Sequence, residues 1–179
     1  MHLVNDLKKI LFTKEEIMDR CVSLGKEITK DYKDKDLLLV GVLKGAIPFM
    51  INLASNIDLY VAEDYIQVSS YVDNKSSGRV NLRKDIDIDI HGKDILLVDD
   101  IIDTGLTYKF VRELLLAKGA NSVEMVALLS KKAHRQDEIK CRYIGFEIDD
   151  QFVIGFGLDY NDRYRNLDCI GIIDENLIK

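Results

Sequence analysis

The stretch from Ile95 to Thr107 constrains the fold more than any other part of this 179-residue chain. Its four apolar residues Ile95 to Val98 predict a strand that is buried on both faces, which is typical of a parallel sheet. The strand ends at Asp99, and a helix is predicted over Lys109 to Leu116, after a turn. Because open α/β sheets bind ligands at the carboxyl ends of their strands, this order predicts a ligand site at the turn.

Two kinds of polar group follow this strand. Asp99, Asp100 and Asp103 supply carboxylates. The Thr104-Gly105 turn and the helix N-terminus supply backbone N–H groups, which suit a phosphate. The carboxylates would repel that phosphate unless they held a metal ion or bound sugar hydroxyls of the same molecule. The pattern therefore indicates a phosphorylated sugar as the ligand.

Further buried-strand runs alternate with helical patterns, which predicts an α/β fold with a mainly parallel sheet. Strands are predicted at Leu37–Val42, Tyr65–Val72, Val123–Leu129, Tyr143–Phe146, Phe152–Gly155 and Cys169–Ile172. Helices are predicted after a capping box formed by Thr13 and Glu16, from Pro48 to Ile57, and up to Gly119 as the residue after the last turn. Asp73–Asn81 is predicted to be a mobile loop, and Ile86–Ile90 an exposed strand edge or connector.

Composition favours an ordinary globular protein, with 47% hydrophobic and 31% charged residues. The length fits a single domain, 1–179, which would bury about 70% of its unfolded surface. The net charge of −6 argues against nucleic acid as the main partner, since phosphate contacts need a basic surface. Cys21, Cys141 and Cys169 predict free thiols in a reducing compartment. With neither a signal peptide nor roughly 18 consecutive apolar residues, we expect a cytoplasmic protein without a membrane partner.

The motif Asp99-Asp100-Ile101-Ile102-Asp103-Thr104-Gly105-Leu106-Thr107 resembles the phosphoribosyl pyrophosphate signature of type I phosphoribosyltransferases. Its form, with Asp103 directly before Thr104-Gly105, is similar to the hypoxanthine-guanine branch of that family. The resemblance extends from about Leu37 to Arg165 through five motifs in matching order. It implies the type I phosphoribosyltransferase fold, a mainly parallel sheet flanked by helices with a small hood of short strands. It also implies a homodimer or homotetramer.

The resemblance implies a reaction in purine salvage. The 5-phosphoribosyl group of phosphoribosyl pyrophosphate would pass to N9 of a 6-oxopurine base, hypoxanthine or guanine. The products would be inosine or guanosine monophosphate and pyrophosphate. Asp103 would be the catalytic general base at purine N7, and the residues from Asp99 to Thr107 would bind the sugar phosphate. Asp99 and Asp100 would bind Mg²⁺ or the ribose hydroxyls.

Four other motifs gain their meaning from the same resemblance, because each alone is also typical of a solvated turn or an edge strand. Lys44-Gly45 resembles the pyrophosphate loop, in which the preceding peptide, here Leu43–Lys44, can be cis in relatives. Ser70-Tyr71 resembles the base of a flexible loop, about residues 70–82, that closes over the reacting centre. Lys131 would donate to the oxygen at purine C6.

The fifth stretch runs from Phe152 to Arg165. By resemblance, Phe152 would stack on the purine, and the Val153 backbone would contact its edge. Asp159 would approach a second Mg²⁺ ion, and Arg165 would bind pyrophosphate. The choice among hypoxanthine, guanine and xanthine depends on contacts near Val153 and Asp159, which one sequence leaves open.

Two other protein classes share parts of this pattern. RNA-binding regulators of pyrimidine operons resemble the chain around the acidic pair, but they carry an uncharged residue at the position of Asp103 and need a basic face. Aspartate-nucleophile phosphatases contain a similar Asp-Thr-Gly-Leu-Thr motif. Their two aspartates lie two residues apart, whereas the spacings from Asp99 to Asp100 to Asp103 are one and three. Both interpretations are therefore weaker than phosphoribosyl transfer.

Overall fold

The computed structural model describes residues 3–71, 79–131 and 139–177. The elements, in chain order, are β1 (Leu7–Phe12), α1 (Lys14–Asp31), β2 (Leu37–Leu43), α2 (Ile47–Ala54), β3 (Ala62–Tyr71), β4 (Arg79–Lys84), β5 (Asp94–Ile102), α3 (Leu106–Ala117), β6 (Ser122–Lys131), β7 (Tyr143–Ile148), β8 (Val153–Ile154) and β9 (Ile170–Ile173). Short 3-10 turns lie at Leu3–Asp6 and Glu175–Leu177.

Two sheets are built from these strands. The larger has the order β4-β3-β2-β5-β6-β7, and all its neighbouring pairs are parallel except β3 with β4. The smaller is an antiparallel sheet of order β1-β9-β8, which we call the hood. The predicted α/β fold, with a mainly parallel sheet and a small group of short strands, is confirmed.

The central strands of the large sheet are buried on both faces, as their apolar runs predict. Leu96 and Val98 of β5 face a core formed with α1 and α2, whereas Ile95 and Leu97 face a second core formed with α3. All four side chains are fully buried. Because helices cover both faces of the large sheet, these strands require a continuous run of apolar residues and not an alternation of apolar and polar ones.

Helix boundaries follow local hydrogen bonds. The capping box of α1 is present, with the Thr13 N–H donating to Glu16 Oε2 at 2.8 Å. Helix α2 ends at Ala54, three residues before the predicted end, because the chain continues in tighter turns there. Helix α3 ends at Ala117, and Gly119 follows as the residue after the C-cap, as predicted, with the Ala120 N–H donating to the Leu115 carbonyl at 3.2 Å. None of the described helices is long and apolar enough to span a membrane.

Strand β1 was not predicted, because Leu7–Phe12 contains two adjacent lysines and shows no alternation. It pairs with β9 and so ties the amino-terminal segment to the hood. The three cysteines are free thiols, as predicted, and Cys21 and Cys169 are buried.

Strand structure extends into both ends of the segment, about residues 70–82, for which a flexible loop is predicted. Ser70 and Tyr71 belong to β3 and pair with Val80 and Arg79 of β4. The polar sequence of β4 does not show the apolar pattern of a buried strand, because β4 is an edge strand. Residues 72–78, the centre of the predicted loop, lie outside the described part. The segment Ile86–Ile90 is a connector without strand structure, one of the two predicted alternatives.

One buried carboxylate fixes the base of the β3–β4 hairpin. Asp64 is 7% exposed, and its oxygens accept hydrogen bonds from the N–H groups of Tyr65, Asp87 and Ile88 at 2.6–3.0 Å. The Lys84 ammonium lies 3.5 Å away. Burial raises the pKa of Asp64, but these hydrogen bonds and the lysine outweigh it, so the pKa lies below its usual value. Asp64 therefore holds the connector after β4 against β3 in its ionised form.

We predict that Asp64→Asn lowers the free energy of unfolding by about 1.5–3 kcal/mol at neutral pH, the usual effect of losing hydrogen bonds to a charged group. A carboxyl whose pKa is lowered by folding stabilises the folded protein at pH values above the usual pKa of the group. This contribution is lost as the pH falls through the pKa of the carboxyl in the folded state. The difference between the two proteins should therefore shrink below about pH 4. Urea unfolding across pH measures it, with Asp58→Asn, the same change at an exposed aspartate outside this cluster, as the control. A pH-independent difference would contradict this role.

Candidate active site

The predicted motifs meet at the carboxyl edge of the large sheet. Strands β2, β5 and β6 are parallel neighbours, so their carboxyl ends lie on the same side of the sheet. Lys44-Gly45, Asp99–Asp103 and Ser130-Lys131 lie at or directly after these ends. The segment from Phe152 to Arg165 lies across this edge, because Gly157 packs on the Gly45 carbonyl. The backbone of Ser70-Tyr71 ends β3 at the same edge. The fold thus gathers motifs that are far apart in sequence.

Asp99 and Asp100 form an acidic pair at the end of β5. Asp99 is 8% exposed, and the Asp100 N–H donates to its Oδ1 at 3.0 Å. Burial raises the pKa of Asp99 well above its usual value, and the neighbouring Asp100 charge adds to this. Burial also raises the pKa of Asp100, although the charge of Arg165 opposes it. Within the described chain neither carboxylate has an ion-pair partner, so the pair suits a cation or hydroxyl donors.

The turn after β5 has the form of an anion site. Helix α3 begins at Leu106, three residues earlier than predicted, and its N-cap Gly105 has a φ of 79° and no capping side chain. The first N–H groups of a helix have no intrahelical acceptors, and that of Leu106 has only a long contact of 3.4 Å with Thr104 Oγ1, so this turn can offer N–H groups to a ligand. They border a cavity of about 100 Å³, whose lining includes Asp103, Thr104 and Thr107. Such a volume suits a phosphate group.

Two glycines of the site, Gly45 and Gly157, lie where neighbouring groups approach too closely for any larger residue. A methyl group at Gly45 would overlap the Asp100 carboxylate, and one at Gly157, where φ is 99°, would overlap the Gly45 carbonyl. The Leu43–Lys44 peptide is cis. The approach places Lys44, the acidic pair and the 155–165 segment around one space.

The predicted cations Lys44 and Arg165 lie close together and share a carboxylate. Asp162 Oδ1 is 3.5 Å from Lys44 Nζ and 3.6 Å from Arg165 Nη2. Arg165 also pairs with Asp159 at 2.6 Å and donates to the Gly157 carbonyl at 2.7 Å. Asp159 is thus held by Arg165. Among the described residues, no group of three acidic, histidine or cysteine side chains forms a preformed metal site.

Lys131 ends β6, the neighbour of β5 on the side away from β2, and Phe152 directly precedes β8. The Lys131 ammonium lies 3.2 Å from Asp150 Oδ1, and its side chain is only 13% exposed. Phe152 is 51% exposed, and its ring contacts Tyr160 edge-to-face with centroids 6.0 Å apart. Val153, by contrast, is buried and paired with Ile172 of β9. An oriented ammonium and an exposed aromatic face could therefore receive a flat, polar-edged ring.

Sequence reasoning missed two carboxylates in this region, Asp150 and Asp162. Each is the ion-pair partner of a residue that was predicted, Lys131 for the first and Lys44 with Arg165 for the second. The Asn161-Asp162 dipeptide is a turn signal that could have drawn attention to Asp162. No sequence signal identifies Asp150 as a partner of Lys131, because the two residues are 19 positions apart, on either side of β7.

Comparison with known proteins gives consistent matches. Residues 9–161 match the phosphoribosyl transferase domain. The chain is 46% identical over 170 residues to a hypoxanthine-guanine phosphoribosyltransferase of Bacillus subtilis, with 94% of each chain covered. It is 43% identical over 176 residues to one of Streptococcus agalactiae, with 98% of each covered. A hypoxanthine phosphoribosyltransferase crystal structure from Staphylococcus aureus superposes with a TM-score of 0.94 at 42% identity, covering 99% of this chain and 97% of that chain.

We predict that Gly157→Ala destabilises the protein more than Gly92→Ala does. Both glycines have positive φ, 99° and 77°, but nothing lies within 4 Å of a methyl group at Gly92. Gly92→Ala should therefore show the backbone cost alone, about 1–2 kcal/mol. Gly157→Ala adds overlap with the Gly45 carbonyl, which we expect to cost a further 1–3 kcal/mol or so. Chemical denaturation of the two variants measures this, and equal losses would contradict the close approach.

Proposed function

Because the chain belongs to the phosphoribosyltransferase family, we propose that it is the enzyme of purine salvage that its relatives are named for. It transfers the 5-phosphoribosyl group of phosphoribosyl pyrophosphate to N9 of hypoxanthine or guanine, and it releases pyrophosphate. One observation supports this assignment above all. Around a single edge of the sheet lie the turn with a cavity the size of a phosphate, the two cations Lys44 and Arg165, and the residues Lys131 and Phe152.

The turn from Asp103 to Thr107 binds the 5′-phosphate. Its support is the cavity at the α3 N-terminus, where backbone N–H groups and the partial positive charge of the helix end attract an anion. The hydroxyls of Thr104 and Thr107 border the same cavity and add donors. Gly105 is suited to its place because its positive φ turns the chain sharply into the helix.

Pyrophosphate binds between Lys44 and Arg165, and Mg²⁺ belongs beside it. A dense polyanion near Asp99, Asp100 and Asp159 is repulsive unless a divalent cation lies between them. The residues fit such an ion, because burial raises the pKa of both Asp99 and Asp100, the Asp100 charge raises that of Asp99 further, and a bound cation would offset these effects. Asp99 and Asp100 would hold it, directly or through the ribose hydroxyls, with Asp159 near a second ion. When bound, Mg²⁺ neutralises the charge that develops on the leaving group.

The chemistry is a displacement at ribose C1. Purine N9 forms the new bond to C1 while the bond from C1 to pyrophosphate breaks, and C1 passes through an oxocarbenium-like state. Asp103 lies at the mouth of the turn and is exposed, so its carboxylate can reach the base and accept the N7 proton. Lys44 and Arg165 stabilise the departing negative charge. Ser70 and Tyr71, at the end of β3, help to exclude water that would hydrolyse the activated sugar.

The base lies between Lys131 and Phe152. The Phe152 ring stacks on the purine, the Val153 backbone contacts its edge, and the Lys131 ammonium donates to the C6 oxygen. Asp150 supports this role because its carboxylate orients the ammonium. Adenine carries an amino donor at C6, and two facing donors would leave both without an acceptor. The site therefore selects 6-oxopurines.

We predict that Asp103→Asn lowers turnover with hypoxanthine about 10²–10⁴-fold, because the amide keeps the shape of the turn but cannot accept the N7 proton. The affinity for phosphoribosyl pyrophosphate should change little. Steady-state pyrophosphate release and a binding titration with the sugar substrate measure the two quantities. Near-wild-type turnover would rule out Asp103 as the general base.

We predict that Lys131→Ala weakens the use of hypoxanthine and guanine far more than the binding of phosphoribosyl pyrophosphate. The loss should appear mainly in the KM for the base, at roughly 10-fold or more for a buried hydrogen bond to a charged group. Lys93→Ala is the matched control, since Lys93 is also ion-paired, 2.6 Å from Asp36, but lies before β5 at the opposite edge of the sheet. An unchanged KM for both bases would place Lys131 outside the purine site.

A further inference from the structure

Asp162 occupies an unusual backbone position for an aspartate. Tyr160 and Arg163 exchange both backbone hydrogen bonds, at 3.2 and 3.1 Å, across a two-residue hairpin turn. The turn residues Asn161 and Asp162 have φ values of 53° and 58°, the geometry of a type I′ turn. Glycine is favoured at the second of these positions because it adopts positive φ without steric cost. A carboxylate is therefore present where the backbone alone would favour glycine.

The turn aims this carboxylate at the two cations of the pyrophosphate site. A single oxygen, Asp162 Oδ1, lies 3.5 Å from Lys44 Nζ and 3.6 Å from Arg165 Nη2. The Asp162 N–H donates to Asp159 Oδ2 at 2.9 Å, which fixes the turn in place. The Asp162 side chain is 77% exposed, so its ion pairs are screened by water and are individually weak. Such contacts orient the cations and are easily displaced.

We propose that Asp162 is an internal competitor for pyrophosphate, a positioning residue that holds Lys44 and Arg165 and returns to them when pyrophosphate leaves. The inference rests on the proposed function, which assigns both cations to pyrophosphate. An oxygen of the leaving group and the Asp162 carboxylate seek the same donors, and they repel each other. Asp162 thus lowers the affinity for pyrophosphate and promotes its departure, a step that can limit turnover when product release is slow.

The direct test is product inhibition by inorganic pyrophosphate with Mg²⁺. Replacing a nearby screened charge should alter the affinity for a polyanion by a modest factor, so Asp162→Asn should lower the inhibition constant about 3–10-fold. The KM for phosphoribosyl pyrophosphate should fall in the same direction, whereas the KM for hypoxanthine should stay unchanged. The difference from wild type should shrink as ionic strength rises.

Asp162→Gly separates this role from a structural one. Glycine suits the turn, so this variant should be at least as stable as the wild type in thermal unfolding. It should nevertheless show the same tighter inhibition by pyrophosphate as Asp162→Asn. The matched control is Asp58→Asn, the same charge change on an exposed residue before β3, at the far edge of the sheet. The control should leave the inhibition constant unchanged.

Two outcomes would overturn the proposal. An unchanged or weaker inhibition by pyrophosphate in both Asp162 variants, with normal inhibition of the wild type, would show that Asp162 does not compete. An equal decrease in Asp58→Asn would show a general effect of net charge. If pyrophosphate with Mg²⁺ failed to inhibit the wild type, the assignment of Lys44 and Arg165 in the proposed function would itself be wrong.

Discussion

At the carboxyl edge of the sheet, the Asp100 carboxylate lies against Gly45, and the Gly45 carbonyl lies against Gly157. This close approach joins the ends of β2 and β5 to the segment that leads back into the hood. The remaining geometry follows from it, since Lys44 is adjacent to Gly45 and Arg165 donates to the Gly157 carbonyl. A site for a polyanion beside carboxylates requires this spacing, because charges of both signs must reach the same ligand.

The electrostatics of the site are local. The chain has a net charge of −6, yet every cation of the site is ion-paired: Lys44 and Arg165 share Asp162, Arg165 also pairs with Asp159, and Lys131 pairs with Asp150. The Asp99–Asp100 pair differs, because burial rather than ion pairing dominates the pKa of both residues. The cations to which we assign ligand binding are thus oriented in advance, and the acidic pair is the part of the site that suits a metal ion or hydroxyl groups.

The fold could be predicted from the sequence wherever a strand is buried on both faces, because such a strand requires a continuous run of apolar residues. Strands β2, β5 and β6 are buried on both faces, and their apolar runs identify them. Strand β4 and the lysine-containing β1 are edge or hood strands, whose sequences carry no such run. The start of helix α3 was predicted too late, because its N-cap is Gly105, which lacks the polar side chain that usually marks a helix start in the sequence. Asp150 was missed because its partner Lys131 lies 19 residues away in sequence. Asp162 has a local turn signal in Asn161-Asp162, but its contact with Lys44 is distant in sequence and leaves no pattern.

We infer that the carboxyl edge of the large sheet joins a 6-oxopurine to a phosphoribosyl group. The most direct measurement is product analysis by chromatography after incubation with hypoxanthine, phosphoribosyl pyrophosphate and Mg²⁺. We expect inosine monophosphate and pyrophosphate in equal amounts, and no product from adenine. Release of pyrophosphate without nucleotide, or equal conversion of adenine and hypoxanthine, would contradict it.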